Sequence, residues 1–258
     1  MAIHPTAIID PQAIISPDAE IGPYCVVGAG VVVGARTRLI AHVFLEGKLQ
    51  IGEDNIFYPY SSIGVAPQDL KYQGEPSETR IGHRNKIREF VTVNRGTTGG
   101  GMLTAIGDDN LLMAYVHVAH DVIITNHVIL ANNVTFAGHV HVGEHANIGG
   151  HSGIHQFCRI GRHAIIGSYS VINQDVLPFS KTAVSREVSV YGANRVGLER
   201  RGFEAHRIEP LQNALRILTR SGLNTSQAVA RIEEEIPETE EVKELIEFIR
   251  TSKHGFVK

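Results

Sequence analysis

The stretch VHVAHDVIITNHVILANNVTFAGHVHVG, residues 116–143, is rich in histidine and poor in charge. It carries an aliphatic or aromatic residue at every sixth position: Val118, Ile124, Leu130, Phe136 and Val142. Its histidines could form a metal site, form a catalytic site, or decorate a structural repeat. The repeat comes first, because it fixes where each side chain points.

The same spacing extends in both directions. It runs back through Leu112 to Ile106 and forward through Ile148, Ile154, Ile160 and Ile166 to Ile172. Earlier series run from Ile3 to Ile63 and from Ile81 through Ile87 to Val93, and no key position is polar. Glycine often follows the key residue, as at Gly22, Gly52, Gly82, Gly107 and Gly143, and a small residue there helps the chain turn. A period of six is neither that of an amphipathic helix nor that of an alternating strand, and it marks a β-solenoid.

After Ile172 the hexads stop, and from about Asn194 the apolar spacing becomes helical, as in Ile208, Leu211, Leu215 and Leu218. Three or four helices are expected. The domain division is 1–186 for the solenoid and 187–258 for a helical C-terminal domain, with inserted loops at 65–80 and 94–105. Apolar residues make up 43% and charged residues 20%, so the chain can bury a core. A net charge of -3 gives no sign of a nucleic-acid binder. The two cysteines, Cys25 and Cys158, lie far apart with no CxxC, against a disulfide framework or zinc knuckle. Neither a signal peptide nor a membrane span is seen, and a reducing cytoplasm is the expected location.

The hexads resemble those of the hexapeptide acyltransferases, an all-β left-handed parallel β-helix in which three hexads make one triangular coil. On that resemblance residues 18 apart stack. The 18 residues from Ile63 to Ile81 would then be a loop of one coil's length, and the 13 from Val93 to Ile106 would bulge from a corner. The same rule puts His120, Gly138 and Gln156 in one column and Asp121, His139 and Phe157 in the next. His120 has the intrinsic pKa of a general base, and Asp121 can hold its tautomer. Gly138, lacking a side chain, could bring its N–H to an oxyanion. With no serine or cysteine nucleophile in register, direct attack by a substrate hydroxyl or amine is favoured over a covalent acyl-enzyme. His127, His141, His145, His151 and His163 fall elsewhere and read as turn and surface residues.

NLLMAYVHVAHD (110–121), ILANNVTFAGHVHV (129–142), IHQFCRIG (154–161), QDLKYQGEP (68–76), NKIREFVTVNRGT (85–97) and LERRGF (198–203) all resemble the UDP-N-acetylglucosamine acyltransferase family. The resemblance covers nearly the whole chain. It implies transfer of a 3-hydroxyacyl group from acyl carrier protein to the sugar 3-hydroxyl of UDP-N-acetylglucosamine, the first step of lipid A synthesis. It implies His120, Asp121 and Gly138 as catalytic residues. It also implies His139, His155 and Gln156 near thioester and nucleotide, His117, Asp69 and Lys71 near sugar and phosphates, and Asn194, Arg200 and Arg201 near the uridine diphosphate. Ser168 matches the position that limits acyl-chain length. A homotrimer with shared sites and no metal or other cofactor is implied.

Departures from the family pattern occur at Asn94, in AVSREVSVYGAN (183–194) and at Val196, and an acceptor with a 3-amino group stays open. Other readings are a zinc enzyme like the γ-class carbonic anhydrases, with His117, His120 and His139 as ligands, and a non-enzymatic scaffold.

Overall fold

The computed structural model describes residues 2–184 and 188–258. The chain up to Ile172 winds as a left-handed parallel β-helix whose walls are three parallel sheets. The first sheet stacks Ile3, Ile21, Leu39 and Phe57, the second Ile9, Val27, Leu45 and Ile63, and the third Ile15, Val33 and Ile51. Most strands are only two residues long, one pointing out and one in, because a hexad must also contain a corner.

The hexad has more inward content than the key position alone. From the second coil onward the residue four places after the key is commonly buried too, as at Cys25, Val43, Val91, Val116 and Val134. The residue between, three places after the key, takes the left-handed backbone conformation. Tyr24, His42, Tyr60, Phe90 and Tyr115 all do so, with φ of 52–65°. Left-handed backbone costs an L-residue about 1–2 kcal/mol. Fully burying an aliphatic side chain contributes about 1.5–3 kcal/mol, so the corner strain is outweighed locally where a hexad buries two, as with Leu39 and Val43. Glycine after the key residue serves close approach of coils instead: a Cβ on Gly22 would lie 1.8 Å from the Ile40 carbonyl oxygen.

Corner side chains stack on one another. Tyr24, His42, Tyr60, Phe90 and Tyr115 form a ladder with ring centroids 4.8–5.0 Å apart. Inside another corner, Asn55, Asn85 and Asn110 form a buried ladder. Each side-chain oxygen accepts a backbone N–H from the next coil, and each amide donates to a carbonyl at 2.8–2.9 Å.

The insertions depart from the stacking expected of them. Ile81 pairs with Ile51, and Ile63 pairs with Val93, so the 18 residues from Ile63 to Ile81 advance the chain by one side and not by a full coil. The excess is two hexads, which is why the phase survived. The second insertion also runs from the second sheet to the third, where Ile106 pairs with Ile81. Both loops therefore leave the same corner of successive coils. They are shorter than the spacing implied, at 66–77 and 95–102, because strands Glu78–Ile81 and Leu103–Ile106 widen the third sheet.

The solenoid ends in strand Ser180–Val184, which pairs antiparallel with Val188–Ala193. The expected domain boundary at 186/187, and the Ser185–Glu187 part of the unusual 183–194 segment, lie outside the described residues. Four helices follow: α1 (Arg195–Arg200), α2 (Ala205–Arg220), α3 (Thr225–Glu235) and α4 (Glu240–Thr251). In α2, Ile208, Leu211, Leu215 and Leu218 are buried, as their spacing predicts. Asn224 and Gln227 close a capping box on α3. Arg159 and Arg162 on the last coils reach α4, through Phe248 O and Glu244.

His127, His145 and His163 share one corner and stack at 4.7–4.8 Å. Of these, His163 is a turn residue but not a surface one: it is 3% exposed and its Nδ1 has no partner among the described residues. Burial, aided by the charges of His145, Arg162 and Arg201, pushes its imidazole down from 6.5 to about 3. An unfolded chain protonates this histidine near pH 6.5 while the folded chain resists until about pH 3, so stability is lost as pH falls through that window. His163→Phe should reduce the loss of denaturant stability between pH 7 and pH 5. An unchanged loss would show that His163 does not carry it.

Candidate functional site

His120 and Asp121 occupy the corner between strands His117–Val118 and Ile123–Ile124, one coil beyond the two insertions and on the same edge. Asp121 takes the left-handed conformation, with φ 60°, which a short polar residue tolerates well. Its N–H donates to Thr104 Oγ1 at 2.8 Å. Its carboxylate is buried, with the side chain 1% exposed. His120 Nδ1 donates to Oδ2 at 2.8 Å, Thr97 N–H to Oδ1 at 2.9 Å, and the Thr97 hydroxyl to Oδ2 at 2.5 Å. A carboxylate only accepts, so Nδ1 of His120 carries the proton and Nε2 is left as a basic nitrogen.

The next coils complete the columns read from the sequence. His139 N–H donates to His120 O at 3.1 Å, and Phe157 N–H to Gly138 O at 3.2 Å. His139 stacks on Phe157 at 4.5 Å and meets His120 edge-on at 5.0 Å. Gly138 is needed for this approach: a Cβ there would lie 2.5 Å from Cε1 and 2.8 Å from Nε2 of the His120 ring. Among the described residues the Gly138 N–H has no hydrogen-bond acceptor.

An open cavity of about 930 Å³ faces His120. Of the sequence-derived candidates, Asp69, Lys71, His117, His120, Gly138, His139, His155 and Gln156 line it. Asp121 sits behind His120, outside the lining. Asn194, Arg200 and Arg201 do not reach it. Asn194 is buried as the N-cap of α1, accepting from Gly197 N–H at 3.2 Å and donating to His163 O at 2.9 Å. Arg200 is exposed, and Arg201 bonds Gly197 O at 3.1 Å. Ser168 stacks above Gly150 as expected, but on the corner between the first and second sheets. The outward face of the second sheet, with Thr135, Gly153 and Val171, separates it from His120, so an extended group would cross that face and not run along one column.

His117 Nδ1 is 2.7 Å from the Thr92 hydroxyl. Burial, and the neighbouring His120, lower the His117 pKa. Burial also lowers that of His139, against the pull of Asp121. Both are therefore neutral at pH 7. Burial raises the Cys158 thiol to about 11, which leaves it without thiolate character. The three histidines of the zinc reading are not grouped: among the described residues the sets with mutually close ligand atoms are His127, Glu144 and His145, away from the cavity, and His120, Asp121 and His139, where Asp121 already holds two donors from Thr97. Sequence reasoning missed Thr97, which lies in an insertion, Thr104, which lies in the widened strand after it, and Thr92, which precedes the key residue Val93 and pairs with His117. The glycine run 99–101 was the available hint that the second loop packs tightly.

The family model described as bacterial transferase hexapeptide (six repeats) matches residues 2–35, 104–138 and 139–174. That for domain 2 of UDP N-acetylglucosamine O-acyltransferase matches residues 175–257. The acyl-[acyl-carrier-protein]–UDP-N-acetylglucosamine O-acyltransferase of Thermodesulfovibrio yellowstonii is 47% identical over 253 residues, 98% of each chain. The structure of LpxA from Acinetobacter baumannii matches over the full length of both chains at 43% identity and TM-score 0.96. The Arabidopsis UDP-N-acetylglucosamine acyltransferase structure matches 99% of this chain and 100% of its own, at 32% identity and TM-score 0.85.

Gly138→Ala should push the His120 ring away from Asp121, since the ring is the movable partner in the clash. The expected result is loss of the downfield Nδ1 proton resonance in a folded protein. An unmoved ring in a crystal structure of the variant would refute the crowding argument.

Proposed function

Because the chain belongs to the acyl-[acyl-carrier-protein]–UDP-N-acetylglucosamine O-acyltransferase family, we propose that the cavity at His120 is its active site. The enzyme transfers an acyl group from acyl carrier protein to UDP-N-acetylglucosamine, the first step of lipid A biosynthesis. His120 Nε2 takes the proton of the sugar 3-hydroxyl as the oxygen attacks the thioester carbon of a 3-hydroxyacyl donor. Asp121 stabilises the imidazolium. The Gly138 N–H donates to the oxyanion. As the C–S bond breaks, the thiolate leaves on the carrier protein and takes the proton back from His120, so no covalent acyl-enzyme forms. The observation that carries this reading is the Thr97–Asp121–His120 hydrogen-bond chain ending at a basic nitrogen in an open cavity.

Asp69, Lys71 and His117 would hold the sugar and phosphates, and His139, His155 and Gln156 the thioester and nucleotide. Asn194 would contribute by capping α1, which ends in Arg200 with Arg201 as its C-cap. These arginines stand apart from the cavity of their own chain and suit a neighbour's. A homotrimer supplies that neighbour, and the exposed ladder of Tyr24, Tyr60, Phe90 and Tyr115 is an apolar corner suited to burial between subunits. The chemistry needs neither metal nor other cofactor. No helix of the described residues is long and apolar enough to cross a membrane. We place the enzyme in the cytoplasm with its carrier protein.

His120→Ala should lower turnover by ~10²–10⁴-fold while the variant still sediments as a trimer. Product would be followed by mass spectrometry from UDP-N-acetylglucosamine and 3-hydroxyacyl carrier protein. Activity within threefold of wild type would remove His120 as the base.

Ser168, at the far side of the second-sheet face, would meet the end of the acyl chain. Each CH₂ buried contributes about 0.8 kcal/mol, or roughly a fourfold preference. Ser168→Gly should move the preference to longer donors and Ser168→Met to shorter ones. Identical chain-length profiles across a thioester panel would show that the chain ends elsewhere.

A further inference from the structure

Asp121 draws its remaining donors from the insertion Arg95–Met102, not from its own coil. Thr97 gives two bonds to one carboxylate, its N–H to Oδ1 at 2.9 Å and its hydroxyl to Oδ2 at 2.5 Å. Thr97 and Asp121 are 5% and 3% exposed. His120 Nδ1 bonds the same Oδ2 at 2.8 Å. After Thr97 the chain makes a single 3-10 turn, Thr98–Gly100, and returns: Gly100 N–H and Met102 N–H both donate to Thr97 O, at 3.1 and 2.9 Å. This brings Gly100 onto the carboxylate, where a Cβ would lie 2.0 Å from Asp121 Cγ. The insertion closes around one carboxylate group.

That carboxylate has a choice of partners. His139 Nδ1 lies 3.8 Å from Oδ2, so a small rotation would let Asp121 turn from His120 toward His139. With one oxygen held by the Thr97 amide and the other by its hydroxyl, the carboxylate plane is fixed on His120. We propose that Thr97 is a positioning residue of the acyl transfer, holding Asp121 so that His120 keeps its Nδ1 proton and presents Nε2 to the acceptor hydroxyl. This rests on the reading of His120 as general base. A buried carboxylate deprived of a charge-assisted bond seeks another donor, and here the available one is the wrong histidine. Thr97 stands one layer behind the substrate, so its effect should fall on kcat rather than on acceptor binding.

The test uses the full-length enzyme with Thr97→Val, Thr97→Ser, Gly100→Ala, Asp121→Ala and His120→Ala. Valine keeps the shape and removes the hydroxyl, whereas serine keeps both donors. Thr97→Val should lower kcat ~10–100-fold, as loss of an outer-layer partner does at metal-ligating histidines, with KM for UDP-N-acetylglucosamine within about twofold. Thr97→Ser should recover most of the loss. Gly100→Ala, which crowds the carboxylate while leaving the Thr97 hydroxyl in place, should lower kcat as well. In an Asp121→Ala background, adding Thr97→Val should cost nothing further, because the group it positions is gone. If Thr97→Val works normally while His120→Ala is inactive, the clamp is wrong and the general base stands. If His120→Ala is itself active, the base assignment falls. Equal losses in the valine and serine variants, or a further loss in the Asp121→Ala background, would mean that Thr97 merely supports the loop.

Discussion

Backbone hydrogen bonds between coils, such as Gly22 N–H to Leu39 O at 2.7 Å, set the position of every outward side chain on the solenoid. They hold neighbouring strands roughly 4.8 Å apart, and they recur at each hexad with the same register. A residue's neighbours above and below are thus decided by counting, not by the shape of a folded loop. His120, Gly138 and Gln156 meet because of that arithmetic. The site inherits the stiffness of a backbone ladder, with no need for a large surrounding core.

The abundance of histidine is mostly a property of the corners. His127, His139, His145, His151 and His163 all have positive φ, as do Asp121, Phe157 and Tyr169 in the same six-residue series. At these corners a flat ring can stack on the ring of the next coil, as His151 does on Tyr169 at 4.8 Å. Imidazole therefore serves as one more planar side chain. His120 differs in lying one place earlier, with its ring turned to the carboxylate at Asp121. The stacking pattern is interrupted there by an acid, and the neighbouring imidazole bonds it instead of a ring.

The solenoid, its key inward residues and the helical tail were legible as matters of period, whereas the three walls and the His120 and Asp121 columns followed from the resemblance to the hexapeptide acyltransferases, and the second inward residue of the hexad went unread. Less could be read where the period breaks. The interval from Ile63 to Ile81 equals one coil in length yet spans only one side, and spacing alone cannot separate two added hexads from a full turn. The partners of Asp121 were hidden for the same reason, since Thr97 reaches it through a loop with no repeat. Asn194 also caps its own helix and donates to His163 O, a structural demand that only three-dimensional packing reveals.

Both insertions leave one edge of the solenoid, while the helical cap begins several coils further along. Distances along the axis between the His120 corner and that cap can change only by whole coils, because a fractional coil would rotate every later residue onto the wrong wall. Evolution of such a chain has a coarse dial and a fine one. Adding or deleting 18 residues moves the cap by one strand spacing, whereas a single side chain at a corner changes the reach of the surface by an atom or two. Specificity among closely related substrates is thus confined to the fine dial, and relatives that share a coil count should differ in their preferences through a handful of corner residues.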